Sequence, residues 1–395
     1  MDKEKREIID NILSFYSPQQ TIKLLKELIS IPSHNQVVWQ EDRLVSYLAD
    51  YLYHHGIDKL SIDYVEENRP NLIAELPGRG KGKSLLLNGH TDTAVPSKIM
   101  EHPYKPVIRD NHIYGLGAAD MKGSLTAMLT SLVLLKESNL SLKGDLFFAG
   151  VIDQKQCSKG TVRLVEDRFK TDYAVVGEPT DLKICHAHRG REWIKIIIQV
   201  VSQPEQEDRN AIYQASRIAS EIESLNKDLK HRYSSLTISV GVISGGDAPD
   251  NNPDLASLEL DGRYIQREEG ELIYQELRKI LARQQTLHPY FKMEILPMVD
   301  RVCSLKNPPL STARDSKLIS AFERALGAYG TGHSEVTCFN GWSDAALLSE
   351  ELGTEAVLFG PGLPEKYQAG KEALRVDDLL ASVRVYLALI IDLCV

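Results

Sequence analysis

Three short apolar runs, each followed at once by polar residues, limit the fold of this chain more than any other feature. They are Leu85–Leu87 before Asn88-Gly89-His90, Leu146–Ile152 before Asp153-Gln154-Lys155, and Tyr173–Val176 before Gly177-Glu178. Such runs are typical of buried strands, and amphipathic helical patterns lie between them, so the sequence predicts an α/β fold. Since sites in α/β sheets collect at the carboxyl ends of strands, we expect these polar residues to lie close together.

His90 and Asp92 form the first candidate pair. Alternate residues of an extended chain point the same way, so the two side chains share a face. An imidazole beside a carboxylate is a common metal-binding arrangement, in which the carboxylate fixes the imidazole tautomer. For this pair alone, a strand-end histidine that makes a single hydrogen bond is the favoured interpretation. Asp120 adds a further carboxylate, in a loop of small residues before a predicted helix at 124–137.

Composition narrows the classes of function. The chain has 395 residues, which predicts two domains, and its net charge of −9 argues against nucleic acid or an anionic membrane as the main partner. The first ten residues contain no apolar core, so we expect no secretory signal. Five scattered cysteines without a CxxC pair indicate a reducing, cytoplasmic location and no cysteine-rich zinc site.

The second domain is predicted from a change of pattern after position 187. Strand and helix signals then follow in the order βαββαβ up to about position 298, which is the ferredoxin-like pattern of a small inserted domain. The sequence therefore predicts a first domain that is split into 1–187 and 299–395, with a small inserted domain at 188–298 between its two parts.

Five motifs, taken together, resemble the zinc-dependent peptidase and deacylase family of aminoacylase, acetylornithine deacetylase, succinyl-diaminopimelate desuccinylase and glutamate carboxypeptidase. They are GHTDT at 89–93, GLGAADMKG at 115–123, GEPT at 177–180, the segment with Gly245-Gly246, Asp261 and Arg263, and GPG at 360–362. They occur in the family's order across almost the whole chain. The resemblance implies a catalytic domain with a central mixed sheet flanked by helices, plus a ferredoxin-like lid that often forms a dimer.

The resemblance also implies a metal centre. The family binds two zinc ions bridged by an aspartate that maps to Asp120, and one zinc also takes the residues that map to His90 and Glu178. The aspartate that maps to Asp92 orients the histidine. A cis peptide is implied between Asp120 and Met121. Two carboxylates and an imidazole on strand ends suit one zinc ion with an open position for water.

The other half of that site departs from the family pattern. Gln154 stands where the family has its general-base glutamate, and Lys155 where it has a ligand of the second zinc. Gly370 takes the place of the last histidine ligand, and the segment at 201–208 lacks the lid histidine. For substrate binding, Asp250 stands where the family usually has an asparagine, and the adjacent Asn251 is the candidate for that role. Arg263 is either a carboxylate clamp or a surface arginine.

Three functions are consistent with these residues: a single-zinc amidohydrolase, a pocket protein that binds a small amino-acid-like or peptide ligand, and an enzyme with altered chemistry that uses Lys155. Gln154 cannot take a proton from water as a general base does. We expect Lys155 to point inward and to pair with Asp120, rather than to extend into solvent as lysines commonly do. The first zinc position is then weakly occupied or empty, and the second is lost.

Overall fold

The computed structural model describes residues 1–201, 209–233, 235–298, 307–330, 335–363 and 372–395. The chain divides into two units. The first unit comprises Met1–Ala187, Ser311–Phe339 and Ser343–Val395, and the second comprises His188–Leu310 and Asn340–Trp342. Each unit has its own hydrophobic core.

Local sequence signals determine where several helices begin. Ser17 accepts a hydrogen bond from the Gln20 amide and precedes Pro18, which stands at the first helical position, and Ser316 caps its helix in the same way. In the first unit the described helices are α1 (Lys3–Ser14), α2 (Pro18–Ser30), α3 (Asp42–His54), α4 (Gly123–Glu137), α5 (Lys159–Glu166), α8 (Lys317–Tyr329), α9 (Ala345–Leu352) and α10 (Val376–Cys394).

A mixed sheet forms the centre of the first unit. Its described strands are β1 (Leu60–Glu66), β2 (Arg69–Leu76), β3 (Leu85–His90), β6 (Leu146–Val151), β7 (Tyr173–Val176), β8 (Ile184–His188), β13 (Leu310–Ser311), β14 (Val336–Phe339) and β15 (Glu355–Leu358). The order is β1-β2-β6-β3-β7-β15-β8-β13, and β14 pairs with β8. Strands β6, β3, β7 and β15 run parallel, so their carboxyl ends meet at one edge.

Helix α4 packs in the core of the first unit. It is apolar on all sides, and Leu125, Leu129 and Leu132 are fully buried. Among the described residues, Ala118–Glu137 is the one helical segment that is long and apolar enough to cross a membrane, but 94% of its most apolar window is buried inside the protein. Its position in the core explains its composition.

A small antiparallel sheet lies beside this core. It consists of β4 (Val107–Arg109), β5 (His112–Tyr114) and β16 (Ala373–Arg375), in the order β16-β5-β4. Leu374 of β16 pairs with Ile113 of β5, and both are fully buried. This sheet ties the C-terminal part of the chain to the loop that carries Asp120.

The second unit is an antiparallel sheet covered by two helices. Its described elements are β9 (Gly190–Val200), α6 (Ala211–Arg232), β10 (Thr237–Gly245), β11 (Leu255–Tyr264), α7 (Arg267–Leu287) and β12 (Phe291–Pro297), with strand order β10-β11-β9-β12. Alternate residues of β9, such as Ile194, Ile196 and Ile198, are buried against the helices. The element order is the predicted βαββαβ.

The mixed α/β fold with an inserted small domain is as predicted, but the boundary differs. The sequence predicts the return to the first unit at position 299, whereas the return comes at Ser311, and Asn340–Trp342 also belong to the second unit. Trp342 explains the second difference, because its indole N–H donates to the Pro308 carbonyl at 3.0 Å and the Arg191 guanidinium lies 4.9 Å from its ring centre. These are contacts between distant parts of the sequence.

Candidate metal centre and active site

Parallel strand ends bring the predicted residues of the first unit together. His90 ends β3 opposite Val151 of β6, and Asn88 pairs with Val176 of β7. Lys155 therefore follows one neighbouring strand and Glu178 the other. The ligand atoms of His90, Asp120 and Glu178 all lie within 4.8 Å of one another. Their arrangement fits one metal ion held by an imidazole and two carboxylates.

His90 is buried between two acceptors. Its Nδ1 lies 2.8 Å from the Asp92 carbonyl oxygen, and its Nε2 lies 2.9 Å from Asp120 Oδ1. Burial and the Lys155 charge lower the pKa of His90, but the carboxylates of Asp120 and Asp92 outweigh them, so the net pKa is raised. The ring is thus oriented with Nε2 toward Asp120, where a metal ligand is needed.

The contacts of the Asp92 carboxylate differ from those that the resemblance implies. The ring nitrogen of His90 is closest to the Asp92 main-chain oxygen, while the nearest carboxylate oxygen is 3.5 Å away. The carboxylate instead accepts the amides of Gln154 at 3.1 Å and Lys155 at 2.9 Å. Asp92 therefore connects β3 to the turn after β6, and it fixes the backbone of Gln154 and Lys155.

Lys155 points inward, as predicted. Its ammonium donates to Asp120 Oδ2 at 2.6 Å, and its side chain is 24% exposed. Burial lowers the pKa of Lys155, but the charges of Asp120, Glu178 and Asp92 raise it by more. The net pKa is therefore above the ordinary value for lysine. Burial likewise raises the pKa of Asp120, whereas Lys155 and His90 bring it well below its ordinary value. The pair is ionised at neutral pH.

Asp120 lies in a wide helical turn at Ala118–Lys122, just before α4. Asp120 and Met121 have non-helical backbone angles, and the peptide between them is cis, as the resemblance implies. One Asp120 oxygen faces His90 and the other faces Lys155. Asp120 therefore lies between an imidazole and an ammonium, with one carboxylate oxygen toward each.

Glu178 lies immediately after β7 and is 3% exposed. Its Oε1 is buried and has no hydrogen-bond partner among the described residues. Burial raises the pKa of Glu178 to about 7, although the Lys155 charge opposes this. A buried carboxylate oxygen without a donor is suited to a cation, and this supports the fit of one metal ion.

Sequence reasoning missed Arg69, which lies in the same cleft. Its guanidinium binds Glu41 through two bonds of 2.7 and 3.0 Å, Glu66 at 3.0 Å and Asp153 at 2.7 Å. Asp153 has a positive φ of 72°, at the start of the turn that leads to Gln154 and Lys155. No short sequence motif predicts this cluster, because Glu41, Arg69 and Asp153 are far apart in the sequence.

A cavity of about 290 Å³ adjoins the candidate centre. It is lined by Asn35, Arg69, Asp92, Thr93, Ala94, Val95, Asp153, Lys155 and Gln156. Thr93 is 4% exposed, and its hydroxyl has no hydrogen-bond partner among the described residues. The cavity has the size and the polar lining for a small ligand.

The remaining predicted residues lie elsewhere or outside the described residues. Arg263, in β11 of the second unit, binds the Asp261 carboxylate at 2.9 and 3.1 Å. Asn251 is exposed in the turn before β11. Neither the Arg263 ion pair nor the exposure of Asn251 tests a role in substrate binding. The predictions for Gly370 and for positions 202–208 fall outside the described residues.

The fold and the strand-end carboxylates and histidine define a metal-dependent peptidase or amidohydrolase class. A model of peptidase family M20/M25/M40 matches residues 86–392. The chain therefore belongs to this family, and the predicted resemblance is confirmed.

Individual relatives agree with the family. A probable succinyl-diaminopimelate desuccinylase of Staphylococcus epidermidis is 23% identical, over 95% of this chain and 98% of the relative. The crystal structure of aminopeptidase PepT from Bacillus cereus has a TM-score of 0.78 at 19% identity, covering 95% of this chain and 99% of that one. A tripeptidase of Staphylococcus aureus has a TM-score of 0.79 at 18% identity, covering 95% and 98%. At these identities the structures show the shared fold.

Proposed function

We propose that this chain is a divergent family member whose general base and second metal position are lost. It binds a small amino-acid-like amide ligand, as a pocket protein or as an enzyme with altered chemistry. The observation that carries the proposal is the 2.6 Å contact between Lys155 Nζ and Asp120 Oδ2. Because the oxygen that would bridge to a second ion accepts an internal ammonium, that ammonium takes the place of the second cation.

The residue at position 154 supports the same proposal. Gln154 is neutral, so it cannot accept a proton from water, and loss of a general base typically removes about 10²–10⁴ in rate. Loss of a second metal ion removes further stabilisation of the tetrahedral intermediate. In a pocket of this composition, ligand binding persists while hydrolysis of the family type is slow.

A single zinc ion remains compatible with the described residues. His90, Asp120 and Glu178 are the residues that would hold it, and a zinc ion there would polarise an amide carbonyl. Lys155 opposes it, since two cations a few ångströms apart repel one another in a cleft of low effective dielectric. We therefore propose that zinc binds weakly at this one position or not at all.

The alternative function is a single-zinc amidohydrolase that removes an acyl group from an amino acid or peptide. The three-residue cluster and the buried, unpartnered Glu178 oxygen favour it. The curated relatives include a probable desuccinylase, which is consistent with an amide substrate. Arg263 and Asn251 are proposed to contact a ligand carboxylate or amide in either function.

Metal analysis and a substrate panel test the proposal together. Protein purified without chelator is analysed for zinc, and the same sample is assayed on N-acetyl amino acids, N-succinyl amino acids and dipeptides with added zinc, cobalt or manganese. We expect less than one equivalent of zinc and no turnover at family-like rates. Two equivalents of zinc with ordinary turnover overturn the proposal, and one tightly held equivalent with turnover establishes the alternative.

The ligand is sought in the same preparation. Native mass spectrometry of the purified protein detects any bound small molecule, and its loss in Lys155→Ala, with retention in Lys83→Ala, assigns it to the cleft. Lys83 is a suitable control because it also pairs with a carboxylate, Asp172, but on the surface.

We also propose a cytoplasmic homodimer formed through the second unit, without nucleic-acid or membrane partners. β10 is an edge strand in the described sheet, and Val242 and Ile243 on it are about half exposed, which supports strand pairing with a second copy. Light scattering measures the mass in solution, and a monomer mass at micromolar concentration overturns the dimer.

A further inference from the structure

The Glu372 carboxylate binds the backbone of the loop that carries Asp120. Its Oε2 accepts the Gly117 amide at 2.7 Å, and its Oε1 accepts the amides of Ala119 and Asp120, both at 2.9 Å. Glu372 is 7% exposed. One buried side chain thus receives three backbone N–H groups from four successive residues.

We propose that Glu372 is a positioning residue for the candidate metal centre: it sets the direction of the Asp120 carboxylate by holding the Asp120 backbone. The inference rests on the proposed function, in which the described cluster can accept one metal ion. The described hydrogen bonds of the Glu372 carboxylate are all to the loop backbone, and none is to His90 or Glu178. It acts through Asp120 alone.

The local backbone explains why this loop needs an outside acceptor. Gly117 has a φ of 80°, and Asp120 and Met121 have non-helical backbone angles. The amides at 117, 119 and 120 therefore lie outside the regular hydrogen bonding of α4. Buried amides without acceptors cost free energy, and a carboxylate satisfies three of them at once. Without Glu372, the loop has to rearrange to find other acceptors.

Glu372 is itself held in place from the other direction. Its main-chain carbonyl accepts the Gly115 amide at 3.2 Å, and β16, which begins at the next residue, pairs with β5 just before the loop. The Asp120 loop is therefore bound at both ends by one short segment of the C-terminal part of the chain. A small shift of Glu372 moves Asp120 relative to His90, whose contact with Asp120 Oδ1 measures 2.9 Å.

Glu372→Gln is the test variant, because it keeps the volume, replaces one acceptor by a donor and removes the charge. Glu269→Gln is the matched control. Glu269 is a buried glutamate of the second unit whose Oε2 also accepts two backbone amides, those of Ile265 and Gln266, at 2.9 and 3.0 Å. Both variants are expected to lower the unfolding temperature, so stability alone does not separate positioning from a structural role.

Two readouts do separate them. Zinc affinity is measured by chelator competition in the wild-type and Lys155→Ala backgrounds, and the ¹⁵N signals of the His90 ring, assigned by their loss in His90→Asn, are recorded without metal. Glu372→Gln is expected to weaken zinc binding about tenfold or more, as loss of a residue that supports a metal ligand typically does. It should also shift the His90 signals, whereas Glu269→Gln should change neither.

Unchanged zinc affinity and unchanged His90 signals in Glu372→Gln overturn the inference. If neither background binds zinc, the proposed metal-binding capacity fails, and the His90 signals alone then decide whether Glu372 positions Asp120. Should Glu372→Gln not fold, Glu372→Asp replaces it, since the charge is kept while the carboxylate is withdrawn by one methylene. Its His90 signals are expected to shift in the same direction, and wild-type signals in a folded Glu372→Asp protein count against the inference.

Discussion

Arg69 and Lys155 are two cations that line one cleft, and they are held very differently. Arg69 binds Glu41, Glu66 and Asp153 through four contacts of 2.7 to 3.0 Å. Lys155 donates one hydrogen bond from its ammonium within the described part of the chain, to Asp120. The Arg69 side chain is 8% exposed and that of Lys155 is 24% exposed.

Under the proposed function, Arg69 is a structural cation and Lys155 is a cation that a metal ion can replace. A guanidinium presents five donors in a fixed geometry, so Arg69 satisfies several carboxylates at once and fixes the start of the turn. A lysine ammonium is a compact charge on a flexible stem, and Asp120, Glu178 and Asp92 around it are the groups that a metal ion also attracts. Arg69 therefore stabilises the wall of the cleft, while the Lys155 ammonium lies among the carboxylates that could bind a metal ion.

Removing Arg69 should have the largest effect. Arg69→Met leaves the buried carboxylates of Glu41 and Asp153 without the guanidinium that they share, and breaking such buried pairs typically costs about 3–5 kcal/mol of unfolding free energy. Urea unfolding measures the loss. Arg163→Met is the control, because Arg163 pairs with Asp63 on the surface and should change stability little. Equal losses in the two variants contradict the structural role of Arg69.

Removing Lys155 should change metal binding more than stability. Without the ammonium, Asp120 is released toward a metal ion, and relief of a cation–cation repulsion at about 4 Å corresponds to a gain on the order of 10²–10³ in zinc affinity. Chelator competition on Lys155→Ala and on the surface control Lys83→Ala measures the gain. The same zinc affinity in wild type and Lys155→Ala shows that Lys155 does not compete with metal.

Glu178, one of the carboxylates around Lys155, should make the stability of the protein depend on pH. Its pKa is raised to about 7 in the folded state, chiefly by burial, so folding favours the protonated carboxyl. That contribution to stability is fully present below the unfolded pKa and is lost as the pH rises through about 7. Glu178→Gln does not ionise and escapes the loss, so its stability relative to wild type should improve by about 2–3 kcal/mol between pH 5 and pH 8.

Urea unfolding in the presence of chelator at the two pH values measures this effect. Glu223→Gln serves as the control, because Glu223 is an exposed residue of α6 whose pKa is lowered by Lys227. Its stability difference from wild type should show no such gain at pH 8. A pH-independent difference for Glu178→Gln means that the carboxylate is already ionised, as expected if a cation compensates it.

How far sequence predicts this molecule depends on the range of the interactions. The sequence predicts that His90, Lys155 and Glu178 lie close together, as they do, because short apolar runs define parallel strands and parallel strands bring their carboxyl ends together. Arg69 and Glu372 were missed, because their partners lie up to 255 positions away and no local pattern marks a buried ion cluster or a carboxylate below a loop. The end of the second unit was misplaced for the same reason, since Trp342 joins it through Pro308 and Arg191.

The smallest effect is expected from restoring the family's glutamate alone. Gln154→Glu introduces a carboxylate next to Lys155. The Lys155 ammonium would pair with this new carboxylate and keep it from accepting a proton from water, and Gly370 still offers no metal ligand. The rate on the amide panel should therefore rise less than about tenfold, well short of the 10²–10⁴ that a general base supplies in a complete site. The triple variant with Gln154→Glu, Lys155→Glu and Gly370→His is the comparison, and it should gain both zinc and activity. A rise of a hundredfold or more from Gln154→Glu alone, with zinc content unchanged, shows that the missing base is the whole defect and that Lys155 does not block the centre.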